Sequence, residues 1–419
     1  MDRIDYTLFR RVMLSVLTVI MPCLSALADR VDVADANGNL LRYSYDTADG
    51  PATFTSVRTY AQDASKAGRI IIADAVTDAN GVSHEVKYVD SSVGSRGNLV
   101  SIVFGRNIVA TCGADGSGSD AFRGCKLLES VTLNAKLETL GRYCFRDCIA
   151  LTSINLSAAT SLTTIKYDCF ENCDALESVT LPASVTMLED YAFYGCDALK
   201  EVKFATSSKE LTFGKEVFRN CKALSAFTFP QNLVAIGDAT FDGCEALASV
   251  TFNGSSKAFK TIPYNTFASC TSLTSITLPD EVEELGVGVF YNCTSLREIT
   301  FGKGLISLGD DWTVFGYYMP NLKKLTFPGA NYPFKRSHAM NTLDVTLYVH
   351  PDLVDTYRTS EYTKWYHIVA IGHTTTANVS TSAGGQLESK VRAKGDPADL
   401  LELTVSGPLN DLDLWVICY

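Results

Sequence analysis

Histidine is nearly absent from the 419-residue chain: only His84, His338, His350, His367 and His373 occur. None lies between residues 121 and 328, so that segment cannot assemble a Cys–His nucleophile pair from its own side chains. There is no G-x-S-x-G, no H-E-x-x-H, no P-loop and no G-x-G-x-x-G. The local signatures of serine hydrolases, zinc proteases and nucleotide-binding enzymes are therefore missing. Cations are outnumbered, with 36 Lys and Arg against 47 Asp and Glu and a net charge of −11. A phosphate-binding surface needs clustered Lys and Arg, so nucleic acid is not an expected partner. Beyond the N-terminus no segment approaches the ~20 consecutive apolar residues of a membrane-spanning helix.

What is present begins with a leader. Arg3, Arg10 and Arg11 precede an apolar run from Val12 to Leu24, and Ala26-Leu27-Ala28 offers small side chains for cleavage. Residues 1–28 read as a secretory signal peptide, which places the mature chain outside the cytoplasm, secreted or on the cell surface. Cys23 follows Met21-Pro22, a poor context for lipidation. The remaining composition, 46% hydrophobic and 20% charged, is that of an ordinary folded protein.

Self-similarity dominates the middle of the chain. AFRGCKLLESVTL from Ala121, CFRDCIALTSINL from Cys144 and CFENCDALESVTL from Cys169 are copies of one unit. Five further copies follow, and a degenerate ninth begins at Val314. The phenylalanines fall at 122, 145, 170, 193, 218, 241, 267, 290 and 315, at intervals of 23 to 26 residues. Each copy carries an L-x-x-V-x-L strand pattern, such as Leu176, Val179 and Leu181, with Pro182 to stop it. A second apolar residue lies five before the phenylalanine, as at Leu140, Ile165 and Leu188. A turn and a single helical or 3₁₀ turn are expected to carry the Phe. One such coil cannot bury its apolar residues alone, whereas stacked coils share a continuous core. The fold class expected is an α/β leucine-rich-repeat solenoid, strand-rich, with one parallel strand ladder and short helical turns.

These residues carry a resemblance. The copies resemble the BspA-like leucine-rich repeats of bacterial cell-surface proteins, of the form A-F-x-x-C-x-x-L-x-x-[IV]-x-[LF]-P. The resemblance is specific over roughly Ala121 to Pro328 and looser at the flanks. LLRYSYD (Leu40–Asp46) and the stretch Gly68–Asp90 resemble a β-rich N-terminal capping region, assigned to 29–110. The solenoid is assigned to 111–345. Leu347–Gly372 resembles the family's closing strand, helix and strand, giving a C-terminal cap over 346–372. Thr374–Gly385 reads as a Thr/Ser/Gly linker (373–385), and 386–419 as the start of a further domain cut short.

Eight cysteines share one repeat position: 125, 148, 173, 196, 221, 244, 270 and 293. Uniformity argues for a small core filler rather than a local site. Coils stacked ~4.8 Å apart in an oxidising compartment leave disulfides open as well. Cys144 and Cys169 differ, because they occupy consecutive coils at the position before the phenylalanine. A disulfide there is one reading, and two small core residues the other. A Cys₄ zinc site would need four thiols converging tetrahedrally, while Cys148 and Cys173 already belong to the repeat. Asp32, Asp35 and Asn37-Gly38-Asn39 hint at a calcium loop, but the EF-hand register fails at Val33 and Asn-Gly is also a hairpin turn. No cofactor is expected.

What remains is surface. Between the two inward positions of each strand lie Thr132, Asn155, Thr180, Lys203, Thr228, Thr251, Thr277, Thr300 and Thr326. This stripe is the solvent face of the ladder, where solenoids commonly bind; threonine is also simply a good exposed strand residue. Tyr194, Tyr291, Trp312, Tyr317 and Tyr318 are bulky anchor candidates. The expectation is a monomeric, non-catalytic docking scaffold for an extracellular or host protein, with adhesion implied by the resemblance alone. A carbohydrate- or matrix-binding module of a larger surface protein is the alternative.

Overall fold

The computed structural model describes residues 30–38, 40–45, 55–58, 68–78, 80–89, 98–112, 120–254, 258–308, 319–334, 345–363, 366–372, 376–380 and 402–406. Residues 1–28, Trp312, Phe315, Tyr317 and Tyr318 lie outside them. Two compact units are defined, Met1–Lys209 and Glu210–Tyr419.

In the first unit Arg30–Ala34 and Leu40–Tyr45 pair antiparallel, and Thr55–Arg58 pairs with the latter. Asn37-Gly38 lies in the turn between the first two, where Gly38 takes φ +79°. Asp32 is held by Arg42 at 2.6 and 2.7 Å. A parallel ladder then runs through Arg69–Ile71, Ser101–Val103, Ser130–Thr132, Ser153–Ile154, Ser178–Leu181 and Glu201–Phe204. Two rungs therefore lie upstream of the first repeat copy. Val131, Ile154, Val179 and Val202 point inward and are buried, and their neighbours in the strand are exposed. The residues five before each phenylalanine form a second parallel ladder, Thr139–Leu140, Thr164–Ile165 and Met187–Leu188.

The second unit repeats this plan. Ala226–Phe229 pairs parallel with Ser249–Phe252, and Ser275–Thr277, Glu298–Thr300, Lys324–Phe327, Thr346–Val349 and His367–Ala370 form one parallel sheet. The second ladder recurs in Leu211–Phe213 with Leu233–Ala235, and in Thr261–Ile262 with Glu284–Leu285. Between Thr346–Val349 and His367–Ala370 lie a 3₁₀ turn, Pro351–Leu353, and a six-residue helix, Val354–Thr359. Within the stretch assigned from sequence to a linker and a further domain, Thr376–Ser380 and Glu402–Ser406 pair as parallel strands.

The phenylalanine segments differ from expectation: they are not helical. Twelve non-glycine residues have φ between +52° and +69°, all of them two before or two after a repeat phenylalanine. Asp120, Tyr143, Asp168, Tyr191, Glu216, Ala239 and Asn265 hold the first position; Asp147, Asn172, Asn220, Ser269 and Asn292 hold the second. Gly124, Gly195, Gly243 and Gly288 complete the set. Asn and Asp tolerate this region through their short polar side chains, but Tyr, Glu and Ala are strained in it. Cross-coil hydrogen bonding is the reason. Tyr143, Phe145 and Asp147 donate to the carbonyls of Tyr167, Cys169 and Glu171 in the next coil, at 2.8–3.0 Å. In the second unit Ala239, Phe241 and Gly243 do the same to Tyr264, Thr266 and Ala268. The intervening amides bond back within the coil, as Arg146 to Tyr143 and Cys148 to Phe145. A helical turn would spend all these N–H groups internally and leave the coil-to-coil carbonyls unmet.

Inside each turn the phenylalanine rings stack. Phe122, Phe145, Phe170 and Phe193 follow at centroid distances of 5.4, 5.4 and 5.0 Å with rings within 16° of parallel. Phe218, Phe241, Phe267 and Phe290 follow at 5.7, 5.7 and 6.0 Å. All eight are fully buried.

Candidate functional site

The cysteines have a defined task beyond filling. Each phenylalanine carbonyl accepts its own coil's Cys amide, as Cys148 N to Phe145 O at 3.1 Å. The same carbonyl accepts the thiol of the following coil. Cys148 donates to Phe122 O, Cys173 to Phe145 O and Cys196 to Phe170 O, each at 3.2 Å. In the second unit Cys244, Cys270 and Cys293 donate to Phe218, Phe241 and Phe267 at 3.0, 3.4 and 3.0 Å. A small side chain with one donor meets both demands of this position. Cys144 and Cys169 are free thiols side by side, each fully buried, and no disulfide joins them. Burial pushes the thiols of Cys173, Cys196, Cys244, Cys270 and Cys293 up, the last to about 12. A thiol that stays protonated is neither a nucleophile nor a metal ligand. Among the described residues no group of His, Cys, Asp or Glu could hold a metal ion.

The strand face is laid out in register. Thr180 pairs with Lys203, Thr228 with Thr251, and Thr277 with Thr300 and then Thr326. Thr132, Thr180, Lys203, Thr228, Thr251 and Thr277 are exposed, while Thr300 and Thr326 are half-buried. Asn155 departs from the row. It lies just beyond Ser153–Ile154, ahead of a 3₁₀ turn over Leu156–Ala158, and accepts from the Ser157 hydroxyl at 2.6 Å. Lys203 is paired along its own strand with Glu201 at 2.8 Å. Exposed pairs of this kind contribute at most about 1 kcal/mol.

The opposite, turn side of the first unit carries more chemistry. Tyr143, Tyr167, Tyr191 and Tyr194 form a run of edge-to-face rings with centroids 5.6, 5.4 and 5.9 Å apart. Three guanidiniums lie over it: Arg123 and Arg146 each 5.5 Å from the Tyr143 ring, and Arg142 5.3 Å from the Tyr167 ring. Arg146 also reaches Asp168 and Glu171 of the next coil, both at 2.9 Å through one nitrogen. In the second unit Arg219 reaches Glu216 of its own coil at 2.8 Å and Asp242 of the next coil at 3.1 Å. Of the anchor residues read from sequence, Tyr194 belongs to the tyrosine run and Tyr291 is exposed on the second unit's turns. Tyr143, Tyr167 and Arg142 escaped the sequence reading, although their positions two and three before a repeat phenylalanine could have placed them on one side.

Asp168 is pushed up to about 7, first by burial, then by its hydrogen bond to Glu171 and that group's charge, against the lowering pull of Arg146 and Arg142. A carboxyl raised in the folded state contributes stability present below its unfolded value of 3.8, and that contribution is lost as pH rises through about 7. The first unit should therefore melt at a lower temperature at pH 8 than at pH 5. Asp168→Asn, which keeps a side chain suited to positive φ, should shrink that difference. An unchanged difference in thermal midpoints would show that Asp168 does not carry it.

The two units are parallel-strand solenoids with very little helix, built from coils of 23 to 26 residues around a leucine, phenylalanine and cysteine core. A family model for the BspA type leucine rich repeat region, in six copies, matches residues 117–225 and 211–342. These matches span more than half of the chain, and the chain belongs to that family. A leucine-rich repeat protein from Bacteroides ovatus is similar at 22% identity over 88% of each chain, with a TM-score of 0.57. A leucine rich cell surface protein from Faecalibacterium prausnitzii shares 18% identity over 90% of this chain and 95% of its own, at a TM-score of 0.49. The first likeness supports the fold. No curated protein matches the chain. No helix among the described residues is long and apolar enough to cross a membrane.

Proposed function

We propose that this chain is an exported surface protein that docks a protein partner on its strand ladder and carries out no catalysis itself. Membership of the repeat family supports the protein-binding reading, and the leader at residues 1–28 supports export. The observation that carries the proposal is the exposed row on parallel strands, Thr180 with Lys203 and Thr228 with Thr251. Backbone ladders hold such a row rigid before binding, so little entropy is lost on association. Adhesion to a host or neighbouring-cell protein is the use proposed for it, with the mature chain acting as a monomer.

The test is binding of the mature chain to a panel of purified extracellular proteins and to a glycan array. A protein ligand is expected, with affinity at least tenfold weaker for Thr180→Arg, whose side chain faces solvent and leaves the core intact. Binding to glycans alone, or protein binding indifferent to every strand-face substitution, would overturn the proposal.

A further inference from the structure

Among the described residues, Arg142 on the turn face of the first unit lies outside the ion pairs around it and acts on Asp168 through its charge alone. Arg123 lies 3.8 Å from Asp120 and 4.0 Å from Asp147, and Arg146 is shared between Asp168 and Glu171. Arg142 is exposed and forms no ion pair among the described residues. Its guanidinium rests on aromatic faces instead, 5.3 Å from the Tyr167 ring and 6.0 Å from that of Tyr143. A guanidinium lying over a ring keeps its in-plane N–H donors free, in the fork that matches a carboxylate. The rings also restrict the side chain beforehand, which lowers the entropy lost on binding.

We infer that Arg142 and the tyrosine run form a second docking site, for a protein loop presenting one carboxylate flanked by basic residues. This rests on the proposal that the chain binds protein, and it names a partner chemistry and a different face. Three observations select the occupant. Arginine and tyrosine are, with tryptophan, the side chains enriched where protein interfaces concentrate their energy. Guanidiniums already lie over the Tyr143 and Tyr167 rings beside Arg142, which leaves less ring face there for a sugar to stack on. The same turns carry Asp120, Asp147, Glu171 and Asp190. A polyanion such as a sulfated glycan would meet that ring of carboxylates, whereas a single acid with Lys or Arg beside it is complementary to both charges.

The experiment pans a phage-displayed random dodecapeptide library on the mature full chain, with Arg142→Gln and Arg142→Lys panned in parallel. Thermal midpoints equal to wild type establish that both variants are folded, as an exposed side chain should allow. Peptides enriched only on the wild type are expected to carry one Asp or Glu with Lys or Arg nearby. Synthetic copies should bind the wild type at least tenfold tighter than either variant, and converting the peptide's acid to its amide should cause the same loss. Three results would overturn the site: no peptide that depends on Arg142, dependent peptides without an acid, or binding retained by Arg142→Lys. An Arg142-dependent signal from a heparin oligosaccharide in place of peptide would do so too. Thr180→Arg should leave peptide binding unchanged, so failure of the strand-face proposal and failure of this site are read separately.

Discussion

Phe170→Ala should lower the stability of the first unit by about 3–5 kcal/mol. The ring is fully buried and sandwiched between Phe145 at 5.4 Å and Phe193 at 5.0 Å. Removing it deletes the transfer energy of one aromatic side chain and leaves a cavity. It also breaks two stacked pairs, each worth about 0.5–1.5 kcal/mol beyond burial. The site cannot collapse, because the coil spacing is fixed by the Phe145-to-Cys169 and Phe170-to-Ala192 backbone bonds, both 2.8 Å. In a solenoid each coil touches only its neighbours, so the damage should be local. Hydrogen exchange should quicken most between residues 145 and 193. A loss under about 1 kcal/mol in urea unfolding would mean that the ring stack is not a principal source of stability.

Gly286→Ala should cost about 3 kcal/mol, the upper end for overpacking, for the opposite reason. A Cβ on Gly286 would lie 2.5 Å from Tyr264 N, 2.6 Å from Pro263 C and 3.0 Å from Tyr264 Cα. All three are backbone or Cα atoms, and the Gly286 amide is tied to Ile262 O at 2.7 Å. No rotamer change relieves such a contact; the two coils must part. Gly68 offers the control, since nothing lies within 4 Å of its Cβ position. Gly68→Ala should stay within about 0.5 kcal/mol of wild type. Equal losses at the two sites would contradict the close approach of coils.

The repeat, its period and its inward residues were legible because stacking makes identical demands on every coil. Leu176, Val179, Phe170 and Cys173 recur for that reason, and all four are buried. The turn conformation was not legible. Nothing about Tyr143, Glu216 or Ala239 announces positive φ; hydrogen bonding to the next coil imposes it against their own preference. The second strand ladder was hidden for a related reason, since pairs such as Thr164–Ile165 are too short to show alternation. The thiols looked apolar in sequence, and their donor role depends on a carbonyl 26 residues upstream for Cys196. The tyrosine run was hidden because its columns vary. Arg142 and Tyr167 meet only through stacking of consecutive coils.

In both units the conspicuous cysteines play a structural role, as buried donors to the phenylalanine carbonyls. Thiol labelling without reductant tests this role most directly. The eleven described cysteines are all buried, and none is in a disulfide. None of them should react in the native mature chain, and all eleven should react once it is unfolded. Rapid native labelling at Cys144 or Cys169, or fewer than eleven reactive thiols after unfolding, would contradict that role.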